Sequence, residues 1–70
     1  MMPLTMAKSG ERHSIKKIGG KFETKLHLEN LGFVVGTTVT VITAIGGNVI
    51  VNIKESRVAI SREMASKIMV

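Results

Sequence analysis

The sequence has no cysteine, tryptophan, tyrosine or aspartate, and only one proline among its 70 residues. Without cysteine, neither a disulfide framework nor a thiolate metal site can brace so small a chain, and nothing marks an oxidising compartment. Phe22 and Phe33 are the only aromatic residues, so the core has to come from aliphatic side chains, which the 44% hydrophobic content supplies. A domain of this length buries only about 60% of the surface its unfolded chain exposes. That leaves room for one core and one domain over residues 1–70, and predicts modest stability when it stands alone. Long apolar runs are also missing. A membrane-spanning helix needs about 20 consecutive apolar residues, and the most apolar stretch, Val39 to Ile53, is broken by Thr40, Thr43, Gly46, Gly47, Asn48 and Asn52. Met1 to Gly10 holds Pro3 and Lys8 but no apolar core of a secretory signal, which predicts a cytoplasmic protein.

What is present in excess is positive charge, ten Lys and Arg against five acids for a formal +5. Such a balance favours polyanions or the negatively charged inner leaflet of a membrane through long-range attraction. Lys8, Arg12, Lys16, Lys17, Lys21 and Lys25 crowd the first third, while Lys54, Arg57, Arg62 and Lys67 are spread out. A dedicated binding patch therefore has to be weighed against an ordinary solvated surface. Small barrels do bind nucleic acid, and a basic nucleic-acid-binding β-barrel is the alternative reading of this chain. Single-strand recognition, however, stacks bases on aromatic rings, each worth about 1–3 kcal/mol. Two Phe make a poor platform, so no specific nucleic acid is expected; phosphate contact alone would be nonspecific and salt-sensitive.

Along the chain, Arg12 to Ile18 carries Ile15 and Ile18 and closes on Gly19-Gly20, which predicts a first strand followed by a turn. Lys21 to Leu31 lacks Gly and Pro and ends on Gly32, predicting a helix of about three turns. Leu28 and Leu31 define one apolar stripe on it, while Phe22 and Leu26, four residues apart, define another. Thr37 to Ala44 is almost entirely β-branched and alternates Thr37, Val39, Val41 and Thr43 with the rest, a strand pattern. Gly46-Gly47-Asn48 predicts a hairpin turn into Val49 to Ile53, with Val49, Val51 and Ile53 on one face. Lys54-Glu55-Ser56 reads as a second turn and Arg57 to Ser61 as a strand with Val58 and Ile60 inward. Ser61 is placed to cap one helical turn over Arg62 to Ala65. Lys67 to Val70 completes the chain as a last strand. Strands this short are most economically arranged as a small antiparallel β-barrel with the helix plugging one end.

The residues for catalysis do not assemble in this reading. A nucleophile needs a base within hydrogen-bond reach and a group to orient that base, and no such constellation is evident. Gly19-Gly20-Lys21-Phe22 has a glycine and a lysine but not the GxxxxGK[ST] spacing of a phosphate-cradling loop. His13 and His27 are the weak metal-ligand candidates, with Glu23 four residues before His27, and neither belongs to a convincing ligand set. No cofactor is implied. A protein partner needs only an exposed apolar patch with a polar rim. If Leu28 and Leu31 face the core, Phe22 and Leu26 point away from it, rimmed by Lys21 and Lys25; the other reading tucks Phe22 under the Gly19-Gly20 turn.

Taken together, the string Leu28-Glu29-Asn30-Leu31-Gly32-Phe33-Val34-Val35-Gly36-Thr37, the Val/Ile strand after it, Gly46-Gly47-Asn48, and Val58-Ala59-Ile60-Ser61-Arg62-Glu63-Met64-Ala65 resembles the FeoA family. Pro3-Leu4, Gly10, Ile15 to Ile18 with Gly20, Leu31-Gly32, Gly36, and Ala65 to Val70 stand in the order of that family's pattern, across essentially the whole chain. The resemblance implies a mostly β, SH3-like barrel with no catalytic activity. It further implies an accessory role in bacterial ferrous iron uptake, beside the permease FeoB, a membrane protein with a cytoplasmic GTP-binding domain. The chain would then be peripheral to the membrane through that partner, at its inner face. The same module looks like the C-terminal SH3-like domain of iron-dependent repressors. His27, Asn30 and Glu55 depart from the family's usual Arg, acid and Gly. The site residues proposed for docking, Lys21, Phe22, Lys25, Leu26, Phe33 and Val34, come from the apolar stripe and its neighbouring loop, not from a family motif. Valine-rich strand edges leave self-association open as well.

Overall fold

The computed structural model describes residues 1–70. A 3-10 turn, Leu4–Met6, precedes β1 (Arg12–Ser14), β2 (Lys17–Ile18), α1 (Phe22–Asn30), β3 (Thr38–Ile45), β4 (Asn48–Ile53), β5 (Ser56–Ser61), α2 (Arg62–Ala65) and β6 (Ile68–Met69). All pairings are antiparallel, in a four-stranded sheet of order β1-β3-β4-β5 and a two-stranded ribbon of β2 and β6. The mostly β class read from the sequence is what the chain adopts. The sheet is not closed into a continuous barrel, because the β1 and β5 edges do not pair with each other.

The run Arg12 to Ile18, expected as one strand, is one extended segment that changes partners halfway. Ile15 still pairs with the β3 side, its N–H donating to the Thr37 carbonyl at 2.9 Å and its carbonyl accepting from Gly36 at 2.8 Å. The next N–H, that of Lys16, donates to the Met69 carbonyl at 2.8 Å and begins the ribbon. Ile15 is fully buried at this crossover, so its side chain pins the two sheets together from inside. On the outer side of the ribbon, Met2 and Val70 exchange backbone hydrogen bonds at 2.9 and 2.8 Å, which ties the start of the chain to its end.

Alternation along β3 is interrupted. Val41 pairs with Val51, but Thr43 pairs with Ile50, so Ile42 is an extra residue opposite no partner, a β-bulge. Before the bulge Val39 and Val41 point inward; after it Ala44, not Thr43, shares a pair with inward-facing Val49. The sequence period of two cannot register such an insertion. The β3–β4 hairpin closes through Gly46-Gly47, with Gly46 at φ +60, a conformation that costs glycine nothing.

The core holds thirteen side chains, all apolar, with no buried polar or charged residue among them. Val49, Val51 and Ile53 enter from β4 as their spacing predicts, joined by Ile60 from β5, while Val58 packs at the margin. Leu4 of the 3-10 turn, Ala65 of α2, Ile68 of β6 and Val70 complete it. α2 is capped as expected, the Ser61 hydroxyl accepting from the Met64 N–H at 3.1 Å.

The end of α1 is closed by a specific backbone motif. Phe33 N–H donates to the Leu28 carbonyl and Gly32 N–H to the Glu29 carbonyl, both at 2.9 Å, the paired bonds of a Schellman motif with Gly32 at φ +105. This closure turns the chain back so that Leu28 and Phe33 enter the same core cluster. Two substitutions separate these devices. Ser61→Ala should cost about 0.5–2 kcal/mol by losing the cap, lowering the melting temperature by about 4–8 °C per kcal/mol. Gly32→Ala, forced into a strained backbone region, should cost about 1–3 kcal/mol; thermal unfolding followed by circular dichroism measures both, and no loss for Gly32→Ala would contradict the closure described here.

Candidate functional site

The helix sorts its residues by spacing. Leu28, the helix's only fully buried residue, and Leu31 at its C-cap face the core, with Thr24 half-buried one turn earlier on the same side. Phe22, Lys25, Leu26 and Glu29 recur at i, i+3, i+4 and i+7 and share the opposite face. Phe22 is 76% exposed and Leu26 45% exposed, so the second apolar stripe is on the surface and Phe22 does not tuck under the Gly19-Gly20 turn.

Beside this face lies an open groove of about 460 Å³. One wall is the crossover and first ribbon strand, Lys16, Lys17 and Ile18; the other is Lys25 and Glu29 of α1; the segment leaving the helix, Phe33 to Val35, closes it. Val35 is 65% exposed and Val34 half-buried, so the loop contributes apolar surface of its own. Phe33 does not. The Schellman closure carries its ring inward, where it is fully buried, and it supports the groove from beneath without presenting a side chain to a partner. Of the six residues proposed from sequence for docking, Lys21, Phe22, Lys25, Leu26 and Val34 lie on this exposed helix and loop, and Phe33 is corrected to core.

Sequence spacing missed Lys16, Lys17, Ile18 and Val35. The first three approach α1 only because the chain changes sheets at Ile15, and no local periodicity encodes that. Val35 was readable in part, since three apolar residues in succession after Gly32 cannot all face one side of an extended segment.

The electrostatics of the groove are one-sided. The only basic side chain within 4.0 Å of a carboxylate is His13, its Nε2 3.6 Å from Glu11 Oε1, so all ten Lys and Arg side chains lack an acidic partner. Lys16, Lys17 and Lys25 thus stand around the apolar floor with Glu29 as the single acid among the lining residues.

His13 and His27 are not brought into a metal-binding set. His13 is half-buried on β1, its Nε2 shielded from solvent with no hydrogen-bond partner, and His27 is exposed on α1. No group of three or more His, Asp or Glu side chains converges anywhere in the fold. His27 and Glu23, one helical turn apart, form no ion pair. With Phe33 in the core, Phe22 is the one aromatic ring offered to solvent, which leaves the basic surface without a series of stacking platforms for bases.

Comparison with known proteins places this geometry. Residues 2–70 match the model of the FeoA domain. A candidate Fe(2+) transport protein A of Methanocaldococcus jannaschii is 40% identical over 70 residues, spanning all of this chain and 85% of that protein. The crystal structure of an iron uptake regulatory protein, FeoA, superposes with a TM-score of 0.87 at 24% identity, over 96% of this chain and 89% of that one. A manganese-dependent transcriptional repressor superposes with a TM-score of 0.86 at 16% identity, over 94% of this chain but only 38% of the repressor. At these identities the two structural matches speak for the fold.

The two faces of α1 predict opposite mutational outcomes. Leu28→Ala should destabilise by about 2–5 kcal/mol, the cost of a cavity in a close-packed core, while Leu26→Glu should change stability by less than about 0.5 kcal/mol. Urea unfolding of both variants checks this; an unfolded Leu26→Glu protein would return that side chain to the core.

Proposed function

The chain belongs to the FeoA domain family, and on that premise we propose that it is a non-enzymatic accessory protein of ferrous iron uptake. It docks on the cytoplasmic GTP-binding part of a FeoB-type Fe(II) permease and modulates transport. The observation that carries this reading is the apolar face of α1 and its adjoining groove, ringed by cations that have no partner within the chain.

Physical chemistry gives that surface a division of labour. Fully burying a side chain such as Phe, Leu or Val contributes about 1.5–3 kcal/mol, and Phe22, Leu26 and Val35 are large apolar groups left unburied by folding. They serve as anchors of the kind that dominate interface energetics. Lys16, Lys17, Lys21 and Lys25 form the rim, where charge sets the approach rate and orientation more than the final affinity. Docking through α1 leaves the chemistry to the partner. The accessory chain changes the partner's behaviour only by binding one of its conformations more tightly than another.

Binding to the isolated cytoplasmic domain of the permease, measured by isothermal titration calorimetry, tests the reading. Phe22→Glu and Leu26→Glu should each weaken binding by at least about tenfold, equivalent to 1.4 kcal/mol, with circular dichroism unchanged. Ile45→Glu, an exposed apolar position at the β3–β4 hairpin, should bind as the parent chain does. Parent-like affinity for both helix variants would remove α1 as the docking surface. Lys16→Gln with Lys17→Gln should slow association and flatten its salt dependence while leaving dissociation nearly unchanged.

A further inference from the structure

The outer face of the four-stranded sheet carries a second concavity, separate from the groove beside α1. Strand register brings Arg12 of β1, Thr40 of β3, Asn52 of β4 and Arg57 of β5 into one continuous cross-strand row. Thr38 of β3 begins the neighbouring row on the same face, and Lys54 leaves the end of β4 beside it. An open recess of about 380 Å³ lies here, walled by Arg12, Thr37, Thr38, Thr40, Asn52 and Lys54, with Arg57 outside it. None of the lining residues is apolar and none is a carboxylate.

Every wall residue can donate a hydrogen bond. Arg12 offers a planar guanidinium, Lys54 an ammonium, the threonines three hydroxyls, and Asn52 an amide. Across the strands, Arg57 Nε donates to Asn52 Oδ1 at 3.5 Å, so that acceptor is engaged by a residue outside the recess. Neither Arg12 nor Lys54 has an acidic partner. Lys54 is also the only non-glycine residue at positive φ, +55, and its Cδ and Cε lie 3.9 Å from where a Cβ on Gly32 would stand. Its stem is therefore seated along the end of α1. A concave surface made of donors, with two uncompensated cations and no acceptor-only group, matches a small ligand that consists mostly of acceptors.

We propose that this recess binds a phosphate-class oxyanion, with Arg12 and Lys54 supplying charge and Thr38, Thr40 and Asn52 supplying directed hydrogen bonds. Charge-assisted bonds from a guanidinium to phosphate oxygens are stronger and more directional than neutral ones, and the threonine row gives the anion a fixed bed. This site is independent of the docking groove and of the partner proposed for it.

The test is a ¹⁵N–¹H correlation NMR titration of the full chain with pyrophosphate, at ionic strength held constant with sodium chloride, repeated with inorganic phosphate. The expected result is saturable shifts concentrated at the amides of Arg12, Thr38, Thr40, Asn52 and Lys54. The R12Q/K54Q double variant should weaken binding at least tenfold, and K16Q/K17Q in the groove should leave it unchanged. Thr40→Val, which removes one hydroxyl at nearly constant shape, provides a second route should the double variant fail to fold, and should weaken binding several-fold. Shifts that do not saturate, or that scatter over all the lysines and respond equally to K16Q/K17Q, would overturn the proposal as plain charge screening. Displacement of pyrophosphate by a short single-stranded DNA at lower concentration would overturn it in favour of a nucleic-acid surface.

Discussion

The closure at the end of α1 is the constraint on which the rest of this domain depends. Two backbone hydrogen bonds and one glycine at positive φ turn the chain so that Leu28 and Phe33 enter the same core from either side of Gly32. Phe33 is the largest fully buried side chain and the only ring in a core otherwise made of aliphatic groups. With no disulfide and no buried polar or charged residue, apolar burial is the main source of tertiary stability beyond the backbone ladder. Removing the closure would both strand that ring and detach the helix, so one local motif governs the core and the surface beside it.

That dependence explains the division between inside and outside on α1. Leu28 is committed to the core, which fixes the rotation of the helix about its axis. Phe22, Lys25, Leu26 and Glu29 then have no choice but to face outward, because helical spacing sets them on the far side. The groove arises from the same geometry, since the crossover at Ile15 brings Lys16 to Ile18 alongside the helix just where Phe33 to Val35 leave it. Apolar residues on both faces of a nine-residue helix serve two separate purposes, one structural and one available for recognition.

Much of this was legible in the sequence, for identifiable reasons. The hairpin over Gly46-Gly47, the inward series Val49, Val51 and Ile53, the Ser61 cap and the existence of a second apolar stripe, Phe22 and Leu26, are all local signals, each set by residues a few positions apart; that the stripe faces solvent and Phe22 does not tuck under Gly19-Gly20 emerges only from the fold. The misses share a different cause. The partner exchange at Ile15, the bulge at Ile42 and the fully buried ring of Phe33 depend on contacts between segments distant in sequence, or on backbone closure that reverses a residue's apparent exposure. Lys16 and Lys17 looked like part of a general basic run, and only their position across from α1 gives them a particular surface. The row from Arg12 to Arg57 was equally hidden, because it exists only in the register of four strands.

α1 is held lightly. It spans nine residues from Phe22, its N-cap residue Lys21 makes no side-chain capping bond, and it sends a single side chain fully into the core. Helices of that length are marginal in water by themselves, so its persistence rests on Leu28 and the closure behind it. The segment that carries the exposed apolar face is thus one whose local opening exposes a single fully buried side chain. Any molecule that covers this face shifts that opening equilibrium by mass action. Recognition and local folding of α1 are therefore thermodynamically linked, and occupancy of the groove is recorded in the rigidity of the helix as well as in the contacts it makes.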